Sequence, residues 1–266
     1  MNLGNRMKHY EALYASSYLL PMIPTIARID GRSFHTFCKD LSKPYDDGLS
    51  NLMIETTKFL VEETGANCGY TQSDEISLTW LSNDYKSEIF FRGRLLKMVS
   101  VLSSLTTAFF IKNLGSYLPS KKDHIPTFDS RVFNVPTTVE ASNYFLWRER
   151  DATKNSISMA AQCKFSHQEL HKKNGSEMQE MLFQKGINWN DYPTFFKRGT
   201  YVQRQSKEIP YSCQELEKLP LKHAARQNPN LLVKRWVVGA VDMPPFAKIV
   251  NREAVIFDGE PPAVKE

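Results

Sequence analysis

Cys68-Gly-Tyr-Thr-Gln-Ser-Asp-Glu-Ile-Ser-Leu-Thr-Trp-Leu81 reads as two short strands joined by a tight polar turn. Residues 68–71 and 76–81 hold the β-branched, aromatic and apolar side chains of strands, and Gln72-Ser73-Asp74-Glu75 holds the polar turn chemistry of a hairpin. Upstream, Asp46 or Asp47 can cap a helix whose Leu49, Leu52, Met53, Leu60 and Val61 fall on one face, and Gly65 supplies its stop. Before that helix, residues 25–30 form a short strand that follows Pro21 and Pro24 and ends at Gly31. After the hairpin, a long helix over roughly residues 91–113 buries Leu95, Met98, Val99, Leu102, Leu105, Thr106 and Phe109, with Gly115 and Pro119 beyond its end. A last strand lies near residues 128–135. The order strand, helix, strand, strand, helix, strand predicts an α+β fold of the ferredoxin-like βαββαβ kind.

In that topology the first and third strands are antiparallel neighbours at the centre of the sheet, so the end of one lies beside the start of the other. Asp30 ends the first and Asp74 immediately precedes the third, which brings two distant carboxylates to one edge. Paired carboxylates of this kind suit a divalent cation: magnesium takes oxygen ligands, commonly one or two protein carboxylates plus substrate phosphates. Gly31 allows close backbone approach, and the successive amides of Arg32, Ser33 and Phe34 form a candidate anion-binding turn. Lys43, Arg94 and Lys97 are candidate phosphate cations, the last two three residues apart on one helical face. Strand parity leaves one choice open. Ile76, Leu78 and Trp80 look core-facing, so Glu75, Ser77 and Thr79 belong to the open face; either the turn re-aims Asp74 or Glu75 is a ligand.

Bulk properties narrow the class. The chain has 266 residues, 41% apolar and 24% charged, as expected of one large globular domain or two sharing a core. No apolar run approaches a membrane span, and residues 1–14 carry Asn5, Arg6, Lys8, His9 and Glu11 rather than a signal-peptide core. Cys38, Cys68, Cys163 and Cys213 are scattered, without a CxxC pair, against a zinc ribbon or disulfide scaffold. A cytoplasmic, non-membrane protein is therefore expected. The net charge of +5 is mild, but basic residues thicken toward the C-terminus, from Lys197-Arg198 to Lys234-Arg235, in a spacing that suits phosphate contact. After Val139 the pattern is helical to about Gln168; strands follow near residues 199–205 and 231–241, and the tail from Phe257 reads as loose. Pro136 divides a catalytic region, 1–136, from a helical and basic region, 137–266. Cys163, His167 and His171 recur at i, i+4 and i+8 on that helical stretch, a spread too long for one zinc ion, and no fourth ligand is evident.

Arg28-Ile-Asp-Gly-Arg-Ser-Phe-His35, Lys43-Pro-Tyr-Asp46 and Gln72-Ser-Asp-Glu-Ile-Ser77 together resemble the consecutive motifs of the tRNA(His) guanylyltransferase superfamily, the 3′-to-5′ nucleic-acid polymerases. The resemblance continues through Arg94-x-x-Lys97, Phe128-Asp-Ser-Arg131, Trp147-Arg148 and Lys197-Arg-Gly-Thr200, about two thirds of the chain. It implies a polymerase-type palm with a C-terminal region bearing the RNA contacts, often assembled as a homo-tetramer. It implies two Mg²⁺ ions on Asp30, Asp74 and the Gly31 carbonyl, which resolves the parity choice for Asp74, with Glu75 beside it in the catalytic set. It also implies a guanine-nucleotide site over Asp30, Gly31, Arg32, Ser33, Phe34, His35, Ser73 and Asp74. Triphosphate contacts fall on Lys43, Asp46, Arg94 and Lys97, with GTP and ATP as substrates, and RNA contacts on Arg131, Asn155, Lys197 and Arg198.

Where the eukaryotic histidine-tRNA enzymes carry His-x-Asn-Asn, this chain has Thr153-Lys-Asn-Ser156, and its segment Lys154-Asn-Ser-Ile-Ser-Met159 resembles instead the guanylyltransferase-like branch. The expected reaction is templated nucleotide addition to the 5′ end of tRNA, a repair activity, ahead of untemplated guanylate addition to tRNA(His). A catalytically silent RNA-binding module and a palm-type nucleotide cyclase are the competing classes. The first would bind tRNA without turnover, and the second would act on nucleotide alone.

Overall fold

A computed structural model of the chain describes residues 1–228 and 230–265. Its elements begin with α1 (Leu3–Ala15), β1 (Thr25–Gly31), the single turn α2 (Phe34–Phe37), α3 (Asp47–Thr64), β2 (Cys68–Gln72), β3 (Glu75–Trp80), α4 (Leu95–Tyr117) and β4 (Phe128–Asn134). The second half adds α5 (Thr138–Gln162), α6 (His167–Leu170), α7 (Gly175–Gln184), α8 (Thr194–Arg198), β5 (Thr200–Pro210), α9 (Cys213–Lys218), α10 (Ala224–Gln227), β6 (Leu232–Val241) and α11 (Arg252–Asp258). Both expected signals of α3 are used: the Asp46 carboxylate accepts the Leu49 amide at 3.0 Å, and Gly65 closes the helix in the left-handed conformation.

Among the described residues the strands form one antiparallel sheet in the order β4-β1-β3-β2-β5-β6. The first four are the ferredoxin-like order read from the sequence. β5 and β6, from beyond Pro136, extend the same sheet, and their ladder runs to Pro210↔Leu232, past the end of β2. α3 and α4 cover one face, where Ala27, Ile29, Ile76, Leu78 and Trp80 meet Leu52, Leu60, Met98, Leu102 and Phe110 in the main core. Alternation along the strands sends Ile26, Cys68 and Tyr70 to the opposite face, against Ala141, Tyr144 and Phe145 of α5 and Val255 and Ile256 of α11.

Four expectations are corrected here. The face carrying Glu75, Ser77 and Thr79 is roofed by α5, with Tyr144 Oη 2.9 Å from Ser77 Oγ. Cys163 is the cap that ends α5, and His167 starts a separate turn, so the Cys163–His167–His171 series does not share a helix. The tail is tied down: Val250 donates to Ala263, Lys265 to Lys248, and α11 takes in Phe257 and Asp258, the first residues of the stretch expected to be loose. Finally, α4, at 23 residues, is long and apolar enough to cross a membrane by length and composition, although no such run was expected. In the fold its Met98, Leu102, Thr106, Phe110 and Leu114 pack against the sheet and α3.

Candidate active site

β1 and β3 pair with Asp30 directly opposite Glu75, so the central strands bring the two acidic segments together as the topology requires. The hairpin between β2 and β3 turns through Ser73, a non-glycine residue at φ +50°, and the Gly31 amide donates to the Asp74 carbonyl at 3.0 Å. That left-handed residue takes Asp74 out of the alternation of β3, which answers the parity question: Glu75 follows the strand under α5, whereas Asp74 faces a cavity.

The cavity has a volume of about 650 Å³. Among its lining residues are Gly31, Ser33, Phe34, His35, Lys43, Asp46, Ser73 and Asp74, eight of the positions expected to hold a nucleotide. One part of its lining was not legible in the sequence: Met159, Gln162 and Cys163, at the end of α5, join Cys38 and Tyr45 in its wall. Tyr45 is held by Phe195 and Phe196 of α8, with ring centroids 5.3 and 5.0 Å apart, which fixes the Lys43–Asp46 segment over the opening. Phe34 lines the cavity from beneath while belonging to an aromatic cluster with Phe37, Phe110 and Phe128. Gly31 lies so close to that ring that a Cβ would sit 2.3 Å from it. Gly31→Ala is therefore expected to cost about 1–3 kcal/mol, because the clustered ring has no room to yield. Thermal unfolding checks this, and an unchanged midpoint would show that Phe34 can move.

Asp30, next to the cavity-lining Gly31, has its side chain 21% exposed and stands among cations. Arg28 reaches Asp30 Oδ1 at 3.1 Å and Glu75 Oε2 at 2.9 Å. Arg131 Nη2 is 3.2 Å from Asp30 Oδ2, close enough for attraction but not aligned for a hydrogen bond. Oδ2 is thus a buried oxygen without a hydrogen-bond partner among the described residues. Burial pushes the Asp74 carboxyl above the ordinary range; the Ser73 hydroxyl, 3.0 Å away, opposes this, and the charge of Asp30 adds to the rise. Two carboxylates that raise each other's electrostatic energy, one of them with an orphaned oxygen, are suited to an oxygen-seeking divalent cation. Among the described residues no group of three or more His, Cys, Asp or Glu gathers as a metal cluster.

The other expected residues lie as follows. Glu75 is 5% exposed, and both its oxygens are taken by Arg148, at 2.7 and 2.8 Å, with Arg28 on one of them. It anchors the arginines of the site and has no free lone pair directed at a substrate. The Arg32 amide donates to the Thr127 carbonyl at 2.8 Å, which removes it from the expected anion turn. Asp46 lines the cavity while capping α3. Arg94 and Lys97 are not brought to this cavity. Val99 contacts Ser130 and Gly93 contacts Leu19, whose neighbour Leu20 bonds Asn134, so α4 begins at the end of the sheet where β1 starts. Lys97 instead lies over the Phe91 ring at 4.6 Å. Asn155 lines a small neighbouring cavity with Ser73 and Phe196, and its amide is 3.4 Å from Asp151. Lys197 is turned to the Asn190 carbonyl and the Trp189 ring. Arg198 lines a separate cavity of about 130 Å³ beside the buried Glu149.

Two residues quoted in the sequence motifs without a role of their own complete the charge pattern. Arg28, two residues before Asp30, is on its face by simple alternation, a signal that was available. Arg148, only 3% exposed, is fixed between Glu75 and Asp151.

A family model described as tRNA(His) guanylyltransferase matches residues 4–136. The tRNA(His) guanylyltransferase of Saccharomyces cerevisiae is 30% identical over 71% of this chain and 86% of its own length. A bacterial tRNA(His) guanylyltransferase-like protein solved in complex with ATP superimposes with a TM-score of 0.77 at 36% identity, covering 96% of this chain and 97% of the other. A bacterial structure of the same description in complex with GTP gives 0.69 at 34% identity, covering 92% and 94%.

Proposed function

Because the chain belongs to the tRNA(His) guanylyltransferase family, we propose that it adds nucleotides to the 5′ end of tRNA at Asp30 and Asp74, with the incoming nucleotide in the 650 Å³ cavity. The observation that carries this reading is Asp74 facing a cavity lined by Ser33, His35 and Lys43, with its backbone bonded to Gly31 and the charge of the neighbouring Asp30 acting on its carboxyl. ATP and GTP, bound in the two bacterial relatives, are its nucleotide substrates.

Asp30, Asp74 and the carbonyl of Gly31 would hold magnesium, which when bound neutralises phosphate oxygens and favours ionisation of the attacking hydroxyl. The chain's residues supply the rest. Lys43 offers a cation to the triphosphate, and Tyr45, packed on α8, holds that segment in place. Arg28 keeps the Asp30 carboxylate oriented, and Glu75 and Arg148 keep Arg28 oriented. The chemistry supported by this arrangement is in-line phosphoryl transfer governed by positioning and charge. A 5′-monophosphate on the RNA displaces pyrophosphate from ATP and becomes activated; the 3′-hydroxyl of the incoming nucleotide then attacks that phosphorus and displaces AMP.

Templated addition is the preferred form. Thr153-Lys154-Asn155-Ser156 lacks the histidine of the His-x-Asn-Asn motif, and the bacterial like-proteins align over nearly the whole chain. Untemplated addition to tRNA(His) is favoured by the name of the yeast relative. An extension assay with Mg²⁺, ATP and GTP separates the two. A 5′-monophosphorylated tRNA lacking its first nucleotide, with the opposing base intact, should be extended at least tenfold faster than full-length tRNA(His). Equal or reversed rates would end the templated reading.

A further inference from the structure

We infer that Trp147 is the platform on which the 5′-terminal base of the RNA stacks, an inference that rests on the nucleotidyl transfer proposed above. α5 crosses the sheet with Tyr144 over Ser77 and Arg148 over Glu75, so it runs toward the end of the sheet that carries Asp30. Tyr144 lies 5.9 Å from Phe133 of the edge strand β4, and Trp147 lies 5.8 Å from Tyr144. Phe145 points the other way, to Tyr70 and Tyr201. Trp147 therefore overhangs the β1–β4 side of α5, where Arg28, Asp30 and Arg131 emerge.

That side is open. Arg131 and Asp129 have side chains 59% exposed, and Trp147 is 53% exposed. The indole is backed on one face by the Arg148 guanidinium, 4.3 Å from the ring, and Arg148 is itself fixed by Glu75 and Asp151. A half-exposed aromatic ring held rigid in this way loses little further freedom when a base stacks on it.

The nucleotide cavity is walled by α2, residues 41–46 and the end of α5, with Asp74 facing it. The second reactant needs its own approach to Asp30, and the exposed surface carrying Trp147, Asp129 and Arg131 provides one. Arg131, set between Asp30 and Asp129, gives that surface a cation for a 5′-phosphate beside Asp30, and Trp147 a ring for the attached base. Stacking accepts any base, which fits an enzyme meeting many 5′ ends.

The test uses the whole protein and a 5′-monophosphorylated tRNA with 2-aminopurine as its first nucleotide. Its fluorescence should be quenched on the wild type and not on Trp147→Ala. The KM for RNA should rise about 5- to 100-fold in Trp147→Ala, with the KM for the incoming nucleotide unchanged, and Trp147→Phe should recover most of the loss. Quenching and RNA KM equal to wild type in Trp147→Ala would overturn the inference and leave the ring as a cover for Arg148. Should that variant fail to fold, photo-crosslinking of 5-iodouridine at the first position to the wild type decides: attachment at Trp147 supports the platform, and attachment elsewhere overturns it. A wild type that extends no RNA 5′ end at all would instead remove the proposed function beneath it.

Discussion

Asp74→Asn should lower nucleotide addition on the order of 10³-fold, the scale of losing one preorganised electrostatic group at a reacting phosphate. The change removes one charge and almost no volume, so the cavity keeps its shape. It should also weaken Mn²⁺ binding, measured by titration calorimetry in the absence of RNA. Stability should move the other way. Burial raises the Asp74 carboxyl in the folded state, so the ionised form opposes folding, and wild-type stability from this group is lost as pH rises through its folded value. Asn removes that opposition, and the variant's melting temperature at neutral pH should equal or exceed the wild type's. Asp30→Asn should lose activity to a similar degree, but it takes one carboxylate from Arg28 and one from Arg131, which keep Glu75 and Asp129, and gains no stability. Full activity in both variants would sink the metal assignment; a collapsed fold in Asp74→Asn would sink the account of its burial.

The second large effect is expected at Arg148. Arg148→Met keeps the volume of the stem but strands Glu75 beneath α5 with Arg28 as its remaining cation. Breaking a buried pair from one side costs about 3–5 kcal/mol, or about 6–20 °C in melting temperature for a domain of this size. Burial already raises the Glu75 carboxyl while Arg148 and Arg28 restrain it, so loss of Arg148 lets the folded-state value climb further. The stability deficit should then be smallest at acidic pH, where Glu75 is protonated, and should grow as pH rises. Adding Glu75→Gln should recover much of the loss. A variant that melts with the wild type at every pH would show that the bidentate contact contributes nothing.

Much of residues 1–136 was legible because local signals and topology agreed. Asp46 and Gly65 bracket α3 as their residue types require, and the strand–helix order fixes the neighbours of β1. The proximity of Asp30 and Asp74 follows from that order without knowledge of any side chain. Other features depend on contacts across long stretches of chain. One part of the cavity lining comes from residues 159–163, more than a hundred positions after His35, and no periodicity predicts where a helix end will dock. The burial of Arg148 is equally silent, since a helix with Arg148, Glu149 and Arg150 in succession does not declare which charges are covered. β5 and β6 read as basic strands, but their continuation of the central sheet depends on pairing with β2. Arg94 and Lys97 looked like partners of Lys43 because spacing shows which residues share a helical face and not which end of the sheet that face meets.

Asp46 has two claims on one carboxylate. It closes the first turn of α3 through the Leu49 amide and also borders the space where a triphosphate would lie. A cap of this type contributes about 1 kcal/mol, little beside a polyanion and its counterions. Anything entering the cavity that repels or recruits this carboxylate must therefore loosen the opening turn of the helix, and an empty cavity must tighten it. The helix start and the occupant of the cavity are thermodynamically linked, so protection of the Leu49 amide against hydrogen exchange becomes a local gauge of whether a nucleotide is in place.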